Sequence, residues 1–155
     1  MERRFDWRVF ATALIAVYAI AAVGSVFSAR NGWYESVKPS ITPPDYVFPI
    51  VWGVLYFLIA LSIYLMWMRS TREQRMLAGS LFAVNLVLNM LWTYFFFGMH
   101  RPTLALVDLA MILLSTVALV LVLWRIDRRA SLLLVPYCLW VAFAGVLNLL
   151  IVLKG

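Results

Sequence analysis

Long apolar runs alternate with short charged breaks along the whole chain. Five runs stand out, at residues 9–29, 46–68, 76–100, 102–124 and 130–153, and Arg8, Asp45, Arg75, Arg101 and Arg129 stand immediately before or near their starts. Only Asp108 interrupts the fourth. Each run is close to the ~20 residues that a helix needs to cross a bilayer core. All five are apolar all round and lack the two-residue alternation of a membrane-barrel strand. The pattern therefore predicts an all-α integral membrane protein: a five-transmembrane-helix bundle with a long loop between helices 1 and 2.

Composition agrees with that pattern. Of the 155 residues, 65% are hydrophobic and 13% charged, against about 45–50% and 25% in a soluble domain. Disorder is excluded, because it needs low hydrophobicity. A water-soluble monomer is not expected, because so few polar residues would not cover its surface. The length fits one domain over residues 1–155.

The formal net charge is +6. A nucleic-acid partner would call for one basic patch, whereas these residues are scattered between apolar runs, so none is expected. They sort instead by side. Arg3, Arg4, Arg8, Arg69, Arg72, Arg75, Arg125, Arg128 and Arg129 fall on the N-terminal side, and Arg30, Lys38, Arg101 and Lys154 on the other. The positive-inside rule then predicts the N-terminus inside and the C-terminus outside. It fixes relative sidedness and leaves open which membrane holds the protein.

The first run follows three arginines, as a signal peptide would. Its apolar core exceeds the usual ~7–15 residues, and Phe27-Ser28-Ala29 is a poor cleavage site, so a retained helix is expected. One cysteine (Cys138) and one histidine (His100) leave no metal site in prospect. No Ser-His-Asp set, Gly-rich nucleotide loop or carboxylate pair marks a catalytic or cofactor site.

Residues 30–45 form the long connection. Asn31-Gly32 is a turn signal, and Pro39, Pro43 and Pro44 stiffen it. Trp33, Tyr34 and Ile41 make it partly apolar. Two readings stay open: a functional loop and an aromatic belt at the headgroups.

Polar groups inside the spans are few. Asn85 and Asn89 share a helix face, with Trp92 three residues on. Asn148 lies near the end of the last run. These amides fit interhelical hydrogen bonding. Asp108 fits either a functional group, since an intramembrane carboxylate is costly, or a pair with Arg101. Trp52 and Tyr56 share a face, as do Trp140, Ala144 and Leu147. At ~1.5 Å per residue, Trp52, Trp92, Asp108 and Ala144 all lie roughly 10–14 Å below the side of the long loop. Aromatic walls, a small residue and a few polar groups describe a small-molecule pocket. Pro136 removes a backbone bond and is expected to kink the fifth span. Gly79 and Ala83 form a small-xxx-small pair that admits close helix approach.

Three stretches resemble the translocator protein family, also called tryptophan-rich sensory proteins (TspO/MBR, the peripheral benzodiazepine receptor family). The first, WYESVKPSITPPDYVFPIVWGVLY, carries Trp33, Tyr34, Lys38, Pro39, Pro43, Pro44, Pro49, Trp52 and Tyr56. The second, NMLWTYFFFGMHRPTLALVDL, carries Asn89, Trp92, Phe96-Phe97-Gly98 and Asp108. The third, VPYCLWVAFAGVLN, carries Pro136-Tyr137, Trp140, Ala144, Leu147 and Asn148. The resemblance implies a five-helix bundle with a pocket beneath the first loop. It implies binding of porphyrins such as protoporphyrin IX or of other hydrophobic small molecules, in the lipid bilayer, and it admits a homodimer. Asn89, Trp92, Trp140, Ala144 and Leu147 would line the pocket, with Trp52 and Asp108 near it. Trp33, Tyr34, Lys38, Pro39, Ile41, Pro43 and Pro44 would form a lid.

Two departures stand out. Ser40-Ile41 replaces the aromatic that follows Lys-Pro in the family, and Leu149 replaces the tyrosine of its sterol element. The resemblance ties photo-oxidative porphyrin breakdown to tryptophans, one of them in that loop. Ile41 therefore argues for a receptor or carrier over a degrading enzyme, with a regulatory protein acting through protein partners as the third reading.

Overall fold

The structure is a computed structural model that describes residues 5–28 and 32–154. Arg3, Arg4, Ala29, Arg30 and Asn31, all invoked above, lie outside the described residues. The α-helices of the described residues are α1 (Trp7–Ser25), α2 (Gly32–Val37), α3 (Val47–Arg69), α4 (Arg72–Thr93), α5 (Pro102–Trp124), α6 (Arg128–Leu132) and α7 (Val135–Lys154). A π-helical turn, Tyr94–Gly98, continues α4. No strand occurs among the described residues. Five segments are long and apolar enough to cross a membrane: α1, α3, Arg72–Gly98, α5 and Arg128–Lys154.

Local chemistry sets where each helix begins and stops. Asp6 caps α1, its Oδ1 accepting from the backbone N–H groups of Arg8 and Val9. Such a cap satisfies N–H groups that have no partner within the helix. α1 stops at Ser25, four residues before the apolar run ends. There Ser25 and Ser28 donate their hydroxyls to the carbonyls of Ala22 and Ser25 at 2.7 and 2.9 Å, and the chain turns. α4 begins four residues before its apolar run, because Thr71 and Gln74 form a reciprocal capping box. The last span is broken in two. Pro136 has no N–H for the carbonyl four residues back. The chain turns through Leu133 and Leu134, whose N–H groups bond to Arg129 O and Ser131 O, before α7 begins.

The long helices pack in a ring: α1 against α3 and α4, α4 against α5, α5 against α7, and α7 against α3. The α3–α7 seam is the thinnest, and the short α6 packs against α3 and α5 at the end of the bundle where α3 finishes. There Ser62 Oγ donates to Ala130 O at 2.7 Å, and Arg69 lies 3.4 Å from Asp127. Fully buried alanines (Ala60, Ala78, Ala105 and Ala130) mark close helix crossings. Small residues allow such approach where dispersion replaces the hydrophobic effect. Large side chains such as Ile15, Val54, Leu114, Leu121 and Leu139 point outward, as lipid contact requires. Gly79 and Ala83 also face outward: a Cβ on Gly79 would meet nothing within 4 Å, and Ala83 is exposed.

The predicted 30–45 loop contains a helix that its prolines and turn signal conceal. α2 carries Trp33, Tyr34 and Val37 on a face that packs against Phe96 and its neighbours.

Candidate functional site

A cavity of about 400 Å³ lies inside the ring, on the side of the long connection. That volume falls within the range of small-molecule sites. Four helices and the connection line it. α3 brings Phe48, Trp52 and Tyr56. α4 and its π-turn bring Asn89, Trp92, Phe96 and Phe97. α7 brings Trp140, Ala144, Leu147 and Asn148. α1 supplies a smaller wall through Ile20, Ala21 and Gly24.

The aromatic walls are fixed by mutual packing. Trp52 stacks on Tyr56 with ring centroids 5.3 Å apart, four residues along one face of α3. Trp92 stacks on Phe96 at 5.1 Å and 18°. An unbroken α-helix closes with i to i+4 bonds, but here the Met99 N–H reaches back five residues to Tyr94 O at 2.9 Å. The widened turn brings both Phe96 and Phe97 onto the cavity lining. Trp140 meets Phe48 edge-on at 5.9 Å across the α3–α7 seam.

The polar groups form chains. Tyr56 OH donates to Asn89 Oδ1 (2.9 Å), Asn89 Nδ2 donates to Tyr137 OH (3.3 Å), and Tyr137 OH donates to Asn85 Oδ1 (2.9 Å). Asn85 Nδ2 ends the chain on Ser115, Thr116 and the carbonyl of Ile112. Separately, Trp92 Nε1 donates to Asn148 Oδ1 at 3.2 Å, and Asn148 Nδ2 donates to Pro102 O at 2.8 Å. A buried polar group in lipid is costly unless paired, and these amides are paired.

At the mouth, Tyr34, Glu35 and Asp45 line the opening. Lys38 bridges Glu35 at 2.7 Å and Asp45 at 3.8 Å. Hydrogen bonding to Glu35 holds the Lys38 ammonium above the usual lysine range, and burial pushes the Tyr34 phenol above its own.

Of the residues singled out from sequence, Trp52, Asn89, Trp92, Trp140, Ala144, Leu147 and Tyr34 meet at this cavity. The other lid positions do not line it. Trp33 turns toward His100 and Phe96, at 4.6 and 5.4 Å. Pro39 is buried. Ile41 sits at the corner of a turn closed by Thr42 N–H on Pro39 O, and is 54% exposed. Pro43 and Pro44 follow without reaching the lining.

Asp108 is not among the residues that line the cavity. It lies on α5, which packs against α4 and α7 and reaches a small side pocket behind Trp52 and Trp92 through Leu109 and Ile112. Its carboxylate is buried, and Oδ2 has no hydrogen-bond partner among the described residues. The pairing with Arg101 does not form: Arg101 caps the start of α5 at the surface, while Asp108 sits two turns inside. Sequence reasoning missed the α1 wall, because nothing polar or aromatic marks Ile20, Ala21 and Gly24 within an apolar run.

The sequence profile of the TspO/MBR family matches residues 11–153. The CrtK protein of Rhodobacter capsulatus is 36% identical over 142 residues, which cover 90% of this chain and 88% of that protein. The tryptophan-rich sensory protein of Cereibacter sphaeroides is 37% identical over 145 residues, covering 92% and 89%. The translocator protein of Homo sapiens is 35% identical over 131 residues, covering 81% and 78%. With its five membrane-spanning segments and this match over nearly its full length, the chain is an integral multi-pass membrane protein that belongs to the TspO/MBR family.

Proposed function

We propose that the protein is a membrane receptor or carrier for hydrophobic tetrapyrroles, of which protoporphyrin IX is the type. The observation that carries the reading is the convergence of three tryptophans, Trp52, Trp92 and Trp140, from three helices on one cavity. A large flat ligand needs aromatic faces, and an offset stack is worth roughly 0.5–1.5 kcal/mol beyond area burial. Asn89 and Asn148 add polar points to a mostly apolar lining. The connection, with Tyr34, Glu35 and Asp45 at the mouth, acts as the lid. The N-terminus lies inside and the C-terminus outside, as the arginine distribution favours. A second copy would find close approach at the outward face of α4 around Gly79 and Ala83.

Titration of the purified protein with protoporphyrin IX tests the reading. Saturable quenching of tryptophan fluorescence is expected. Its absence would favour a regulatory protein that acts through protein partners. Porphyrin absorbance followed under light separates a carrier, which preserves its ligand, from an enzyme that degrades it.

A further inference from the structure

We infer that Asn148 is a positioning residue for the Trp92 wall, anchored by the first turn of α5, a helix that supplies no residue to the main cavity lining. The inference rests on the binding role proposed for the cavity, but begins from hydrogen-bond accounting. Asn148 is 1% exposed. Its carboxamide has one acceptor oxygen and one donor nitrogen, and the flip of such a group is fixed by its partners. One partner is the carbonyl of Pro102, which only accepts. Nδ2 must therefore face Pro102 O, at 2.8 Å. Oδ1 is then turned toward α4, where it accepts the indole N–H of Trp92 at 3.2 Å.

The consequence lies in what Trp92 has left to offer. An indole has a single donor, and here it is taken inside the protein. Stacking on Phe96 and the bond to Asn148 together fix the ring plane. The wall therefore presents π surface and no donor. It favours flat rings that can stack on it in an offset geometry and gives no advantage to a ligand with a hydrogen-bond acceptor at that position. α5 reaches only a small side pocket behind Trp52 and Trp92, through Leu109 and Ile112, yet the Pro102 carbonyl at its first turn sets this polarity. Pro102 is suited to the task, since proline at the first helical position is pre-organised in the helical φ range.

Two measurements on the full-length protein test the inference. The first is hydrogen exchange of the Trp92 indole proton, identified by loss of its resonance in Trp92→Phe. Exchange is expected to be slower than for the exposed Trp67 indole, both without ligand and with protoporphyrin IX. Exchange as fast as that of Trp67 would overturn the inference, and this arm needs neither a folded Asn148 variant nor bound porphyrin. The second is a double-mutant cycle with protoporphyrin IX as the probe. Asn148→Leu should weaken binding about three- to tenfold in the wild-type background. In the Trp92→Phe background, which has no indole N–H, it should change binding by less than about twofold. Equal losses in both backgrounds would make Asn148 merely structural and overturn the inference. If protoporphyrin IX fails to bind the wild type, the tetrapyrrole reading falls, while the ligand-free exchange still decides whether Asn148 holds Trp92.

Discussion

The Tyr56 hydroxyl donates to Asn89 Oδ1 at 2.9 Å and so ties the α3 wall of the cavity to the α4 wall. Tyr56→Phe removes that bond and leaves the ring that stacks on Trp52. Interhelical hydrogen bonds in membranes average about 0.6 kcal/mol and reach about 1.7. A stability loss of that size is expected in detergent unfolding, with porphyrin affinity changed less than about threefold, since the stacking surface survives. A tenfold loss of affinity would mean that the hydroxyl itself contacts the ligand.

Trp92→Ala and Trp140→Ala each delete one aromatic wall. Each should weaken protoporphyrin IX binding about three- to tenfold while the bundle stays folded, as read by quenching and circular dichroism. Wild-type affinity in both variants would remove these residues from the binding surface.

Asp108 should be dispensable for binding. It is 7% exposed, with one oxygen unpartnered among the described residues, and it is not among the cavity-lining residues. A carboxylate within a membrane-spanning helix is costly. Asp108→Asn should therefore hold or raise thermal stability and keep porphyrin affinity within about twofold. A large loss of affinity with stability unchanged would return this carboxylate to the site.

Topology is open to labelling. On a Cys138-free background, single cysteines at positions 35 and 72 should react from opposite sides of the membrane, 72 from the inside. Reaction of both from the same side would break the five-span arrangement.

Ile41 predicts binding without rapid photochemistry. Tryptophan donates an electron to an excited porphyrin, and an aliphatic side chain does not. Ile41 sits exposed on its turn, and Trp33 is engaged by His100 and Phe96. Illuminated wild type should therefore bleach protoporphyrin IX slowly and Ile41→Trp faster, followed by loss of the porphyrin absorbance band. Rapid wild-type bleaching that Ile41→Trp does not increase would contradict this.

The helices were legible in the sequence wherever charge and capping coincide with the apolar edge. α5 runs from Pro102 to Trp124, as its run predicts, because Pro102 and the flanking arginines mark both ends. α4 begins earlier than its run because the Thr71–Gln74 cap recruits charged residues that the apolar pattern excludes. The depth of Trp52, Trp92 and Ala144 was legible, since rise per residue is fixed. Rotation was not. α5 is apolar over most of its surface, so its pattern carries little phase, and Asp108 at the right depth is not among the lining residues. α1 failed for the same reason in reverse: most of its lining residues, Ile20, Ala21 and Gly24, are apolar or small and do not mark an inward side, and Ser25 comes only at its last position.

The π-helical turn at Tyr94–Gly98 has an evolutionary consequence. Geometrically, such a turn is an α-helix carrying one extra residue. Deleting one residue would restore the α-helical ladder but rotate everything beyond it by about 100°. Phe96 and Phe97 would leave the cavity, and α2 would lose its aromatic seat. Gly98 reinforces this: a Cβ there would come within 3.1 Å of the Tyr94 ring. A lineage that carries this residue can therefore discard it only by rebuilding the lid.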